Sequence, residues 1–172
     1  MLNKRGFTLI ETLIYVAIIG LVSSGLMKFS MSITSARNKT YVIQEVHANV
    51  RDAVVFINKK IQEANGINLG SSTFDTDPGV LSLSMSDNSK NPTIISLDED
   101  NGKLQVVEGL SDPIFITTEE VLVNNLQFSN VSTGDEARSI QFNLTIDYDS
   151  GVDATKDFTF SQSSENLASI RN

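Results

Sequence analysis

The chain has 172 residues, which suits one modest domain plus a further segment. Its formal net charge is −8, and it holds one histidine and no cysteine. That balance argues against general nucleic-acid binding, which needs clustered Lys and Arg, and it excludes a disulfide framework, a thiolate metal site and a cluster of histidine ligands.

The chain opens Met-Leu-Asn-Lys-Arg-Gly. Residues 7–27 follow, 21 in number, of which 14 are Phe, Leu, Ile, Val, Ala, Tyr or Met. As a helix this run is roughly 30 Å long, enough to cross a bilayer core. Lys4 and Arg5 precede it and Lys28 closes it. Charge alone does not orient the segment, because Lys28, Arg37 and Lys39 balance Lys4, Arg5 and the chain amine. A six-residue head is easier to leave in the cytoplasm than the long acidic remainder is to retain there, so the topology expected is N-inside.

Glu11 stands out because a carboxylate in a hydrocarbon span costs a few kcal/mol and marks function by default. Three readings compete. A secretory signal peptide has a basic head and an apolar stretch, but an acidic residue inside that stretch is atypical and no Ala-x-Ala site follows. A plain signal anchor leaves Glu11 incidental. The third reading takes the pattern Lys4-Arg5-Gly6-Phe7-Thr8-Leu9-Ile10-Glu11 together with the apolar run behind it.

Taken together, residues 4–22 resemble the class III signal sequence of type IV pilins and type II secretion pseudopilins. The resemblance implies that a prepilin peptidase cuts between Gly6 and Phe7. It further implies that the new N-terminal Phe7 is N-methylated and that Glu11 is the assembly carboxylate. Cleavage would remove two positive charges and leave a net charge of −8 − 2 = −10. It would also create an amine at Phe7 able to neutralise a Glu11 of the same or a neighbouring subunit.

Beyond Lys28 the sequence is free of Pro until Pro78. Ile43, Val46, Val50, Val54, Ile57, Ile61 and Ala64 fall at spacings of three and four and form one helical stripe. Gln44, Glu45, Asn49, Asp52, Asn58, Lys59 and Gln62 lie between them. Ala64-Asn65-Gly66 reads as a stop, with Gly66 able to take a left-handed cap. One helix is therefore expected from about Phe7 to about Ala64, roughly 85 Å by rise per residue. The weak helix formers Gly20, Ser23, Ser24 and Gly25 read as close packing in lipid or as a hinge. Many members of the family carry Pro at such a hinge, and this chain does not. A coiled-coil use of the stripe is the alternative to packing on a domain, but it spans only three heptads.

From residue 67 onward short alternating runs replace the helical period. Leu81, Leu83 and Met85 alternate with serines, and runs at 93–97 and 103–107 flank Asp98-Glu99-Asp100-Asn101-Gly102, a hairpin pattern. Further candidates lie at 122–129, 139–148 and 156–161. In the longest, Ile140, Phe142, Leu144, Ile146 and Tyr148 share a face, which implies an antiparallel sheet with one dry side. The polar tail after Gln162 reads as loosely ordered. The expected fold class is α+β, and the layout resembles the pilin fold, with a long N-terminal helix on an antiparallel sheet. The expected organisation is a leader at 1–6, a transmembrane and assembly helix at 7–28, an amphipathic continuation at 29–66 and a β domain at 67–172. Asn49-Val50-Arg51-Asp52-Ala53 with Ile57 and Ile61, and the hairpin followed by 121–128, resemble J-type minor pseudopilins and W-type minor pilins.

Two acidic turns invite a hard cation: Asp98, Asp100 and Asn101, and Asp147, Asp149 and Asp153 around Gly151. Neither has EF-hand spacing, so a solvated turn is the expectation, with no metal and no cofactor. His47 reads as a flank residue of the helix, and Arg51 and Asp52 as surface charge with a possible use between subunits. No nucleophile–base set, phosphate loop or catalytic carboxylate pair is present, so a membrane-anchored enzyme is not expected. The resemblance implies a minor subunit whose partners are the major pilin or pseudopilin, other minor subunits, the prepilin peptidase, the inner-membrane platform protein and membrane lipid. It would be a single-pass inner-membrane protein with its leader in the cytoplasm, and then part of a periplasmic or cell-surface filament. The alternative is a filament-tip module that recognises a surface, DNA or an exported substrate through its β-domain loops.

Overall fold

The computed structural model describes residues 6–132, 138–151 and 158–171. Helix α1 runs unbroken over Leu9–Glu63. By its contacts the chain divides into two units, Met1–Thr40 and Tyr41–Asn172.

In the first unit the described residues are the N-terminal part of α1 and the short irregular stretch before it. Every large apolar side chain from Phe7 to Ile33 is exposed. Among the described residues nothing covers this surface, and its length and apolar character suffice to cross a membrane. Gly20, Ser23, Ser24 and Gly25 lie inside continuous helix.

The second unit holds the C-terminal part of α1 and eight strands in two antiparallel sheets. Strands β1 (Ala64–Ile67), β2 (Leu81–Met85), β3 (Thr93–Asp98), β4 (Lys103–Glu108) and β5 (Ile114–Phe115) form one sheet in sequence order. Strands β6 (Val121–Asn130), β7 (Ser139–Tyr148) and β8 (Ser161–Ser169) form the other. The single sheet expected is thus two. The free edge of β6 is taken up by chain rather than by β4: the Asp75 and Gly79 amides donate to the carbonyls of Phe128 and Leu126 at 2.8 and 2.7 Å. Gly79 permits this approach, since a Cβ there would sit 3.2 Å from the Leu126 carbonyl oxygen.

Alternation is clearest in β7, where Ile140, Phe142, Leu144, Ile146 and Tyr148 are buried. They join Val121, Val123, Leu126 and Phe128 of β6, the inward residues of β2–β4 and the buried stripe of α1 in one core. The stripe is centred on Val42, Val46, Val50, Ala53, Ile57, Ile61 and Ala64. Ile43 and Val54, expected at its centre, are only half-buried at its margin, and Asn49, expected on the polar side, is buried.

Three further expectations are corrected. Gly66 takes no left-handed cap; α1 passes directly into β1, where Ala64 pairs with Met85 and a register shift separates Ala64 from Gly66. The tail after Gln162 is not loose: Ser161–Ser169 is an edge strand in continuous register with β7. Its polarity misled because an edge strand draws its order from main-chain pairing, and only Ala168 needs burial. The strand expected at 156–161 begins at Ser161; residues 156 and 157 lie outside the described residues, and 158–160 are not strand. The hairpin is as expected, with β3 and β4 paired from Thr93 opposite Glu108 to Asp98 opposite Lys103. Gly102 closes it at φ +62°, in the left-handed region.

Candidate functional site

The N-terminal end of α1 is built by Thr8. Its carbonyl accepts from the amides of Glu11 and Thr12 at 3.1 and 3.2 Å, and its hydroxyl accepts from the Glu11 amide at 3.3 Å. Thr8 therefore occupies the cap, and Glu11 the third helical position, the spacing of a capping box. Gly6, Phe7 and Thr8 precede the helix without regular structure and are exposed. No atom lies within 4 Å of where a Gly6 Cβ would stand. The Gly6–Phe7 bond is thus carried on open, non-helical chain, the form a protease cleaves.

Glu11 is half-buried, whereas its apolar neighbours are exposed. As an anion in the first turn it is favoured by the positive end of the helix dipole. The Tyr15 hydroxyl, one turn on, donates to Glu11 Oε1 at 3.4 Å. The Phe7 and Tyr15 rings meet edge to face, with centroids 6.3 Å apart and planes at 73°. Phe7, Glu11 and Tyr15 therefore share one side of the helix start. A carboxylate so placed can accept an ammonium. Thr8 and Tyr15 were not singled out from sequence, although Thr-x-x-Glu is a cap pattern and Tyr15 stands four residues from Glu11, a facing distance on a helix.

In the second unit a polar group fastens α1 to the turn before β6. Asn49 accepts from the Thr118 amide at 2.9 Å and donates to Thr118 Oγ1 and to Glu45 Oε1 at 3.2 and 2.9 Å. Tyr41 donates to Glu120 Oε2 at 2.5 Å, and this bond, with the charge of Glu120, pushes the phenol up to about 12. Lys60 is buried and meets Glu108 at 2.5 Å.

The other residues weighed from sequence stay apart. Asn101 donates to Asp98 at 2.7 Å, a bond within the turn. Asp147 accepts from Asn124, and Asp149 accepts from the Gly151 amide at 2.9 Å; Asp153 lies outside the described residues. Among the described residues no three His, Cys, Asp or Glu gather to form a metal centre. His47 is exposed, with its ring 5.4 Å from that of Phe160. Arg51 and Asp52 pair with each other at 3.3 Å, both exposed.

Residues 1–27 match the family model described as the prokaryotic N-terminal methylation motif. The class so defined is that of proteins made with a short leader whose removal exposes an N-terminus for methylation. That motif is the type IV pilin and pseudopilin signature, and the chain carries it ahead of a long helix and antiparallel sheets, a pilin-like α+β architecture. No curated protein and no solved structure is significantly similar to the chain.

Proposed function

We propose that the protein is a minor pilin or pseudopilin, a structural and non-enzymatic subunit that initiates or joins a filament of a type IV pilus or a type II secretion system. A prepilin peptidase cuts it between Gly6 and Phe7, and Phe7 is N-methylated. The leader lies in the cytoplasm, α1 crosses the inner membrane and the β domain lies outside; the subunit then moves into a periplasmic or surface filament. Its partners are the major subunit, other minor subunits, the platform protein and lipid.

One observation carries this reading: the methylation motif falls on an exposed, non-helical Gly6–Phe7 bond that leads into a capped helix with a single carboxylate in an otherwise uncharged apolar run. In low dielectric an unpaired carboxylate is costly, so an incoming subunit is held where Glu11 meets an amine exposed by cleavage. Glu11→Ala should leave cleavage intact and reduce the subunit recovered in sheared filaments from the native host by tenfold or more, on the order of breaking one buried ion pair. Normal recovery of that variant would remove the role assigned to Glu11.

A second reading, a filament-tip binding module, draws on the apolar group around β5, where Leu110, Ile114 and Phe115 are all exposed. Residues 30–172 binding a surface, DNA or an exported protein, but no other subunit, would favour it.

A further inference from the structure

The polar side chains of the apolar run differ in where their hydrogen bonds go. Thr12 and Ser24 donate to carbonyls of their own helix, Leu9 and Leu21, both at 2.8 Å. Each is satisfied in lipid without outside help. A tyrosine hydroxyl stands too far from its own backbone to do this, and that of Tyr15 turns to Glu11 instead. The Tyr15 ring is braced against Phe7, the residue whose amine the leader conceals.

We propose that Tyr15 is a positioning residue for Glu11, an inference that rests on the assembly role given to that carboxylate above. Its phenol supplies the carboxylate with an intramolecular donor while the subunit waits in the membrane. It keeps the Oε1 side occupied and leaves the other oxygen for the ammonium of a neighbour. The 3.4 Å separation is longer than a settled O–H···O bond, and the contact closes where water no longer competes for either group. Among the described residues Tyr15 is the side chain that donates to Glu11. The Phe7 ring meets the Tyr15 ring edge to face, a contact beside the hydrogen bond that bears on where the phenol stands.

Tyr15→Phe keeps the ring and removes the donor. In the native host the full-length variant should be cleaved normally and reach wild-type levels in the membrane. Its share in sheared filaments should fall by about three- to tenfold, the effect of one ordinary hydrogen bond, since the 3.4 Å contact is a long one. Added to Glu11→Gln, the same change should cost nothing more. A spectroscopic arm reads the contact directly. With 3-fluorotyrosine in the full chain in lipid nanodiscs, the Tyr15 resonance is identified by its loss in Tyr15→Phe. It should move in Glu11→Gln while the resonances of Tyr41 and Tyr148 do not. Wild-type incorporation of Tyr15→Phe beside a defective Glu11→Ala would overturn the role of Tyr15 alone. So would an equal defect in the Glu11→Gln background, or a Tyr15 resonance indifferent to Glu11→Gln. Wild-type incorporation of Glu11→Ala would overturn the assembly reading itself.

Discussion

Lys60 is a charge that the helix carries into the core. Its ammonium lies 2.5 Å from Glu108 Oε1 and 5.5 Å from the Phe56 ring, with Glu63 at 4.0 Å. Nothing in the local pattern separates it from Lys59, its exposed neighbour, because its 2.5 Å partner comes from the distant strand β4. Glu108→Ala should cost residues 30–172 about 3 kcal/mol in urea unfolding, since it leaves a buried ammonium with only the half-exposed Glu63 at 4.0 Å. A loss under about 0.5 kcal/mol would mean the pair is as weak as a surface bridge. Tyr41 makes the second residue-scale test. Its folded-state pKa, pushed up to about 12, stands above the ordinary tyrosine value of 10.0, because Glu120 accepts its proton in a hydrogen bond. The stabilisation from that bond is complete below pH 10 and is lost as pH rises through 12. Wild-type protein should lose stability across that window relative to Tyr41→Phe; parallel curves would contradict the bond. Glu11 stands out at this scale for the opposite reason, being one acid in an uncharged run, where its oddness needs no knowledge of the fold and its role is the one proposed above.

At the scale of elements, strong periodicity survived and weak composition did not. The 3.6-residue stripe of α1 and the two-residue alternation of β7 are both present in the folded protein, since each is enforced by a run of Val, Ile, Leu and Phe. The hairpin of β3 and β4 was readable because Gly102 supplies the left-handed residue its turn needs. Strand β8 was hidden because its residues are almost all polar and its order comes from β7. Thr145 meets Ser163, and Ser139 meets Ser169, each at 2.9 Å across the outer face. The division into two sheets was equally unreadable: it depends on residues 75–79 pairing with β6, and local pattern does not report on that. Removal of residues 161–172 should strip an entire edge from β7 and abolish the cooperative unfolding transition of residues 30–172. A truncated domain that unfolds cooperatively at the same midpoint would show that β8 is dispensable.

At the scale of the whole molecule, the chain joins two surfaces with opposite requirements. The second unit closes its own core, with Ile57, Phe128, Phe142 and Ile146 fully buried. The first leaves its apolar residues bare of the other described residues, an apolar surface long enough to cross a membrane. Glu11 is tolerable in such a segment only while it has a partner, and the partner proposed is an amine that does not exist until the leader is removed. Processing is therefore the event on which the account turns. The direct test is intact-mass and N-terminal fragment analysis of the protein purified from its native host. The account predicts a chain that begins at Phe7 with one added methyl group on its amine. A functioning filament subunit that still carries residues 1–6 would contradict it.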